Sequence, residues 1–438
     1  MYCAYITTIK ELRKHSNADR LQIATVFGND VIVDLSYYTG QKIIYFPTDG
    51  QLSVEFANDN DLVRRKDENG NYCGGYLDPT KRNIKAIKLR GEKSDGLILP
   101  IEVLSKYTDI KKLQDGDQIT VLDGHEICKK YIPKTNRSRH SGTKKAVNKK
   151  EERETIAYPL FMEHADTAQL AYNQNAFKPG DICCITLKMH GTSARTANTI
   201  QTTKKKRPHI VKKLLHLNDK VTTKYAVVSG TRRTTLRSYD GGFYGSNQFR
   251  QKYHDFFKDK LPKGMEVYYE IVGYTHDDQT IMGRCSNKLV KDPEFTKLYG
   301  QETVFSYGCN VGENDAYVYR MTMTNEDGYV VEIPWNVVQI EAEKMGAKCV
   351  PTFETFIFTT WEDLMERVEK YYDGIDPIGK SHIREGVVVR ILNRPTFAAY
   401  KHKNFYFKCL EGIIKDLSDA PDMEEAEELL AEESNDSL

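Results

Sequence analysis

The stretch Ile182-Cys183-Cys184-Ile185-Thr186-Leu187-Lys188-Met189-His190-Gly191-Thr192-Ser193 decides the reading of this chain. Ile182 to Leu187 is apolar and rich in strand formers, so it predicts a buried strand with Lys188 at its end. A lysine held there is a candidate nucleophile rather than a surface charge. Gly191, three residues on, lets the backbone turn closely around a phosphate. Alone the pattern is weak: with glycine at roughly 7% of residues, Lys-x-x-Gly arises by chance about once or twice in a chain this long. Its weight comes from its companions downstream in the chain.

Five later segments fit the same site in chain order. Val228-Ser229-Gly230-Thr231-Arg232-Arg233 ends a strand in a turn carrying two guanidiniums, which suit bidentate phosphate contact. Val267-Tyr268-Tyr269-Glu270-Ile271-Val272-Gly273 sets a carboxylate inside an apolar strand, where it needs a partner such as a ribose hydroxyl or a metal-bound water. Thr303-Val304-Phe305-Ser306-Tyr307 predicts an apolar strand with aromatics able to stack on a purine. Arg384-Glu385-Gly386-Val387-Val388-Val389-Arg390 puts a second carboxylate at the mouth of a β-branched strand. Tyr400-Lys401-His402-Lys403 turns two lysines to one side of a strand. Each has a plain structural reading: Phe305 as core, the two glutamates as strand-edge charges, the lysines as a solvated face, His190 as a structural histidine. The ordered set is far less open to chance than any member.

Composition sets the frame. A length of 438 residues predicts two or three domains. With 39% hydrophobic and 29% charged residues the chain reads as a soluble globular protein. No run of eighteen apolar residues suits a membrane span, and Met1–Ile6 lacks a secretory pattern, so a cytoplasmic location without a membrane partner is expected. Nine cysteines without a Cys-x-x-Cys pair speak against a structural zinc and a disulfide framework. The net charge of +1 hides an asymmetry: residues 416–438 carry ten acids and no base, which leaves +11 on residues 1–415. A basic body suits a polyanion-binding enzyme. The acidic tail reads as a solubilising helix or a disordered end.

Along the chain, residues 1–128 predict a small β-rich domain, with strands at Leu21–Val26, Val31–Asp34, Lys42–Phe46, Ile84–Leu89 and Gln118–Leu122. Short strands with polar turns suggest a small barrel. Within it, Lys88, Arg90 and Lys93 are interleaved with glycines and are candidates for a phosphate backbone. Residues 129–155 form a basic linker, 156–415 a domain of strands and helices, and 416–438 the acidic tail. Helices are expected at Val337–Met345 and Trp361–Tyr372. A basic run from Lys204 to Lys213 predicts a loop beside the site.

In this order the segments around Lys188 resemble the nucleotide-binding motifs of the covalent nucleotidyltransferases, which include polynucleotide ligases and capping guanylyltransferases. Among these the chain most resembles the ATP-dependent RNA ligases of the Deinococcus and Naegleria type. The resemblance extends to Arg90-Gly91-x-x-Ser94-x-Gly96-Leu97-x-Leu99-Pro100 and to Glu163-His164-Ala165-Asp166-Thr167. It implies an α+β fold: an N-terminal OB-like β-barrel followed by an ATP-grasp-like nucleotidyltransferase domain of antiparallel sheets and helices. It implies Lys188 as the nucleophile that carries AMP, and Leu187, His190, Gly191, Arg195, Arg232, Glu270, Phe305, Lys401 and Lys403 as the nucleotide site. Glu270 and Glu385 would hold metal, magnesium or manganese. Lys88, Arg90, Lys93 and Arg233 would contact RNA. Two positions depart from many members of the superfamily: His190 stands where an aspartate is common, and Ser193 where many DNA ligases and capping enzymes have arginine.

The implied reaction has three steps. The lysine takes AMP from ATP, AMP passes to an RNA 5′-phosphate, and a 3′-hydroxyl displaces it to seal the break. An ordinary lysine, with a pKa near 10.4, is protonated at neutral pH, so neighbouring cations and a divalent metal are needed to disfavour its charged form. The expected partner is RNA with 3′-OH and 5′-phosphate ends, on an RNA or DNA duplex template in one version, and the enzyme is expected to act as a monomer. Two other readings stay open: a nucleic-acid-binding protein with a degenerate nucleotide site, and a GTP-dependent guanylyltransferase.

Overall fold

The computed structural model describes residues 2–133, 154–206, 218–240, 244–276 and 278–417. The linker from 134 to 153, most of the second basic run and nearly all of the acidic tail lie outside the described residues. The fold is mixed α+β, rich in sheet and sparing in helix.

Two compact units emerge. One comprises the described parts of Met1–Lys134, Cys285–Thr303 and Lys403–Ser418. Its main sheet runs Leu97–Pro100, Lys42–Phe46, Ala4–Thr8, Gln118–Ile119, all antiparallel. A second sheet is the meander Glu11–Lys14, Leu21–Val26, Asn29–Asp34. Its hairpin turns at Phe27 and Gly28, both at positive φ, because Val26 pairs directly with Asn29; a two-residue turn with left-handed backbone matches the strands' own twist. Ile6, Ile44, Phe46, Phe56, Leu104 and Ile127 are fully buried at the centre. Among the described residues the strand pairings give several small sheets and no closed barrel.

Two stretches from the far end of the chain fold with this unit. Asp292 caps the helix Pro293–Tyr299 by accepting the Glu294 N–H at 3.0 Å, with proline at the first turn. Asn404 caps Phe405–Asp416 in the same way. Phe295 stacks on Tyr406, with ring centroids 4.9 Å apart. Buried Lys415 reaches Asp49 at 2.6 Å, and Lys408 reaches Asp95 at 2.5 Å. Charges this deeply placed must be paired, and each pairing crosses more than 300 residues of sequence.

The other unit is the described part of Thr135–Arg284 and Val304–His402. Its larger sheet has the path Glu154–Ala157, Thr192–Lys205, Met265–Gly273, Asn314–Thr324, Val330–Glu332. Lys220–Gly230 also pairs with Thr192–Lys205, and Lys348–Cys349 with Asn314–Thr324. Lys204 and Lys205 are therefore strand residues, not loop. The smaller sheet runs Ala168–Gln169, Ala399–Lys403, Gly386–Ile391, Ile182–Lys188, Thr352–Ile357. Cys183, Ile185, Val387 and Val389 are fully buried at its centre, against Leu364 and Val368 of the helix Trp361–Glu369. That helix starts at a Thr360 side-chain cap. The helix Trp335–Met345 stops at left-handed Gly346.

Candidate active site

Lys188 is the last residue of a strand in the smaller sheet, and Thr192 is the first of a strand in the larger one. Met189-His190-Gly191 is thus the crossover between two sheets. Lys188 pairs in register with Gly386, which brings Glu385 alongside. The Lys188 ammonium lies 2.8 Å from Glu385 Oε1, and the glutamate is 2% exposed against 22% for the lysine. The second oxygen of Glu385 is 3.8 Å from His190 Nδ1. A carboxylate so buried is stable only with close cationic or hydrogen-bonding company, so the pair holds the amine at one address.

Glu270 enters from the larger sheet, where it stands opposite Ser193. Its Oε1 accepts the Gly191 N–H at 3.0 Å. A Cβ on Gly191 would meet the Ile271 carbonyl oxygen at 2.3 Å and Val272 Cγ1 at 2.8 Å, so only glycine lets the crossover press this close to the central strand. The Ser193 and Tyr319 hydroxyls are 2.7 Å apart.

Phe305 was expected on a strand; the strand ends at Thr303, and Phe305 lies in the irregular segment beyond it, just before the turn at Tyr307 and Gly308. It is buried and meets the His190 ring edge-on at 4.6 Å and the His382 ring at 5.1 Å. Two further residues complete the surroundings of His190: Tyr307, read in the sequence only as one of the aromatics of its segment, and His382, which the sequence reading missed. The Tyr307 hydroxyl accepts the His190 N–H at 2.7 Å, while its backbone sits at φ 50°, a costly conformation for an aromatic residue. Gly379 makes that conformation possible, since a Cβ there would strike Gly308 N at 2.1 Å. Burial pushes the Tyr307 phenol well above its ordinary pKa, so it stays a neutral hydroxyl. His382 is 1% exposed, with Nδ1 2.8 Å from the Ile383 carbonyl, and burial lowers its pKa. His382 lies in no run with a recognisable period; only its place three residues before Glu385 in the chain hinted at it.

The other expected residues divide. Leu187 is buried and donates its N–H to the Pro351 carbonyl at 2.9 Å. Arg195 is fully buried: it donates to the Thr231 carbonyl at 2.9 Å and to Met162, lies 3.7 Å over Phe161, and reaches Glu266 at 3.3 Å. Burial raises the Glu266 carboxyl to about 7, against the lowering effect of Arg195. Arg232 and Arg233 both turn to Asp166, the former closely and the latter at 3.9 Å. Next to them His164 receives Arg320 at 3.0 Å, and burial with the surrounding guanidiniums holds its pKa well below the ordinary value.

Lys401 pairs in register with Gln169 and lies near enough to Asp166 to help lower that carboxyl's pKa, though burial opposes the shift. Lys403 is held by both oxygens of Glu411, at 2.8 and 2.9 Å. In the first unit, Lys88 is tied to Asp292 at 2.6 Å and Lys93 lies over the rings of Phe405 and Tyr406 at 5.3 and 5.5 Å. Arg90 is exposed at the tip of its hairpin.

Among the described residues no cluster of three or more His, Cys, Asp or Glu forms a ready-made metal cage. No described helix is long and apolar enough to cross a membrane.

Residues 181–409, just over half the chain, match the RNA ligase family, and the chain belongs to it. Its fold is similar to solved structures of the RNA ligase of Naegleria gruberi. A lysine-to-methionine mutant with AMP and Mn aligns with TM-score 0.56 at 15% identity, covering 93% of this chain and 98% of that one. A glutamate-to-alanine mutant with AMP and Mn gives 0.57 at 16%, with the same coverage, and the enzyme with PPi gives 0.56 at 15%. At such identities the likeness is one of fold. No curated protein matches the chain.

Proposed function

We propose that this chain is an ATP-dependent RNA ligase that seals 3′-OH/5′-phosphate breaks through a lysyl-AMP intermediate and an adenylylated RNA 5′ end. The observation that carries the reading is the Lys188 amine, 2.8 Å from the buried carboxylate of Glu385 at the crossover between two sheets. Once its proton has left, with Glu385 the base in reach, the Lys188 nitrogen attacks the α-phosphorus of ATP. A P–N bond forms and pyrophosphate departs. An oxygen of the RNA 5′-phosphate then displaces the lysine, the P–N bond breaks, and the amine regains a proton. Finally the 3′-hydroxyl attacks the activated phosphorus, giving up its proton, and AMP leaves.

Phe305 would lie beside adenine, Glu270 near the ribose, and Lys401 with Arg232 near phosphate. Glu385 and Glu270 supply hard oxygen donors from two sheets, which fits Mg²⁺ or Mn²⁺, ions commonly held by one or two carboxylates plus substrate phosphates. Such an ion supplies positive charge that neutralises phosphate as charge builds and disfavours an ammonium beside it. The first 128 residues would form an OB-like RNA-binding domain, residues 156–415 the nucleotidyltransferase, and exposed Arg90 with Arg233 would contact RNA. Transfer of label from α-32P-labelled ATP to protein, its loss in Lys188→Ala, and its absence with GTP test the first step. Sealing of a nicked duplex with RNA on either side of the break tests the last.

A further inference from the structure

The first unit carries an exposed two-stranded ribbon. Strands Arg64–Lys66 and Tyr72–Gly74 pair with each other alone, and every residue in them is exposed. Lys66 stands opposite Tyr72, and Arg64 is on the same face two residues away. The Arg64 guanidinium and the Lys66 ammonium both lean on the Tyr72 ring, at 5.4 and 5.3 Å from its centroid, yet the tyrosine remains 70% exposed.

What marks this face is the pairing of two cations with one exposed ring. Several other cations of the unit are paired with carboxylates: Lys81 and Lys85 with Asp416, Lys88 with Asp292, Lys408 with Asp95. Arg65, on the ribbon's other face, is spent on Asp61. Arg64 and Lys66 have no carboxylate partner among the described residues. The nearest acid in sequence, Asp67, turns its Oδ1 onto the backbone N–H groups of Asn69 and Asn71.

An exposed aromatic flanked by two uncompensated cations is complementary to a single nucleic-acid strand: a base stacks on the ring and its phosphates meet the cations. We propose that the 64–74 ribbon is a binding platform for a single-stranded segment of the RNA substrate, with Tyr72 stacking a base and Arg64 and Lys66 holding adjacent phosphates. This rests on the RNA-sealing reading above and gives the first unit a contact surface apart from Lys88 and Lys93.

The test uses the full chain and a short fluorescent oligouridine, read by anisotropy, beside a blunt RNA duplex. Loss of one stacked base, at about 1–3 kcal/mol, predicts that Tyr72→Ala weakens single-strand binding about 5- to 150-fold, while Tyr72→Phe binds as the parent does. Arg64→Ser with Lys66→Ser lowers the slope of log affinity against log salt by about 1.4, two phosphates at roughly 0.7 each. Lysine labelling from ATP stays unchanged in all of them. Single-strand affinity of Tyr72→Ala within twofold of the parent overturns the proposal, and so does an equal loss on the duplex. If the parent chain takes no label from ATP while the ribbon variants still lose RNA, the ATP-dependent reading fails and the ribbon stands.

Discussion

Replacing Gly191 by alanine adds a single methyl group at the crossover, and the structure fixes where it lands. The new carbon would sit 2.3 Å from the Ile271 carbonyl oxygen, 2.8 Å from Val272 Cγ1 and 3.0 Å from Glu270 Cγ. The first of these is backbone in the middle of the larger sheet, at a residue with no exposure, and it is held between two neighbouring strands. It cannot retreat as a side chain would, so the crossover must lift. Overpacking of this kind costs about 1–3 kcal/mol. Lifting also stretches the 3.0 Å hydrogen bond from Gly191 N–H to Glu270, a bond to a charged acceptor worth about 1.5–3 kcal/mol. Whichever part falls on the geometry that aims Lys188, each 1.36 kcal/mol is tenfold in rate. We therefore expect lysine labelling from ATP to fall at least about tenfold in Gly191→Ala, with a lower unfolding midpoint. Gly180→Ala serves as the control: no atom lies within 4 Å of its Cβ, and only its left-handed backbone is strained. Labelling of Gly191→Ala within twofold of the parent would refute the steric argument.

Tyr307→Phe keeps the ring but leaves the His190 N–H without its 2.7 Å acceptor, at about 1–3 kcal/mol; single-turnover labelling should slow about 5-fold or more, and an unchanged rate counts against a positioning role. Glu385→Gln removes the carboxylate beside Lys188 and should reduce labelling beyond repair by raised ATP, whereas full activity at high ATP would dismiss it from the chemistry. Lys88→Ala should lower the thermal midpoint, because it strips a cation from Asp292, which is 2% exposed; lost RNA affinity at unchanged stability would instead return Lys88 to the RNA-contact role. Glu266 titrates near 7 when folded and near 4.5 when not, so the folded chain binds the extra proton between those values. Its contribution to stability is full below about pH 4.5 and is lost as pH rises through about 7. Denaturation series at pH 5 and pH 8 should show this decline in the parent and a shallower one in Glu266→Gln.

The chain's own order of residues determined a good part of the site. An apolar run ending in Lys188, a carboxylate embedded in an apolar strand at Glu270, and another at the head of a β-branched strand at Glu385 are local patterns. Each depends on neighbours within a few positions, so each is visible without coordinates. The strand Lys42–Phe46 and the helix starting at Trp361 were legible for the same reason.

Tertiary structure decided the rest, wherever a residue's role depends on a partner far along the chain. Arg195 reads as a cation near a nucleotide site and folds as a buried tie between Thr231, Met162 and Glu266. Lys93 reads as a phosphate contact, and its ammonium lies over two rings that come more than 300 residues later in the chain. Phe305 lies beyond its strand, in a segment that turns at Tyr307, whose hydroxyl meets the N–H of His190, more than a hundred residues earlier in the chain. Period and propensity report which face of an element is apolar; they carry no information about which distant charge or hydroxyl will meet it. Only packing settles that, because a buried donor or ion is tolerated solely where the folded chain supplies its match.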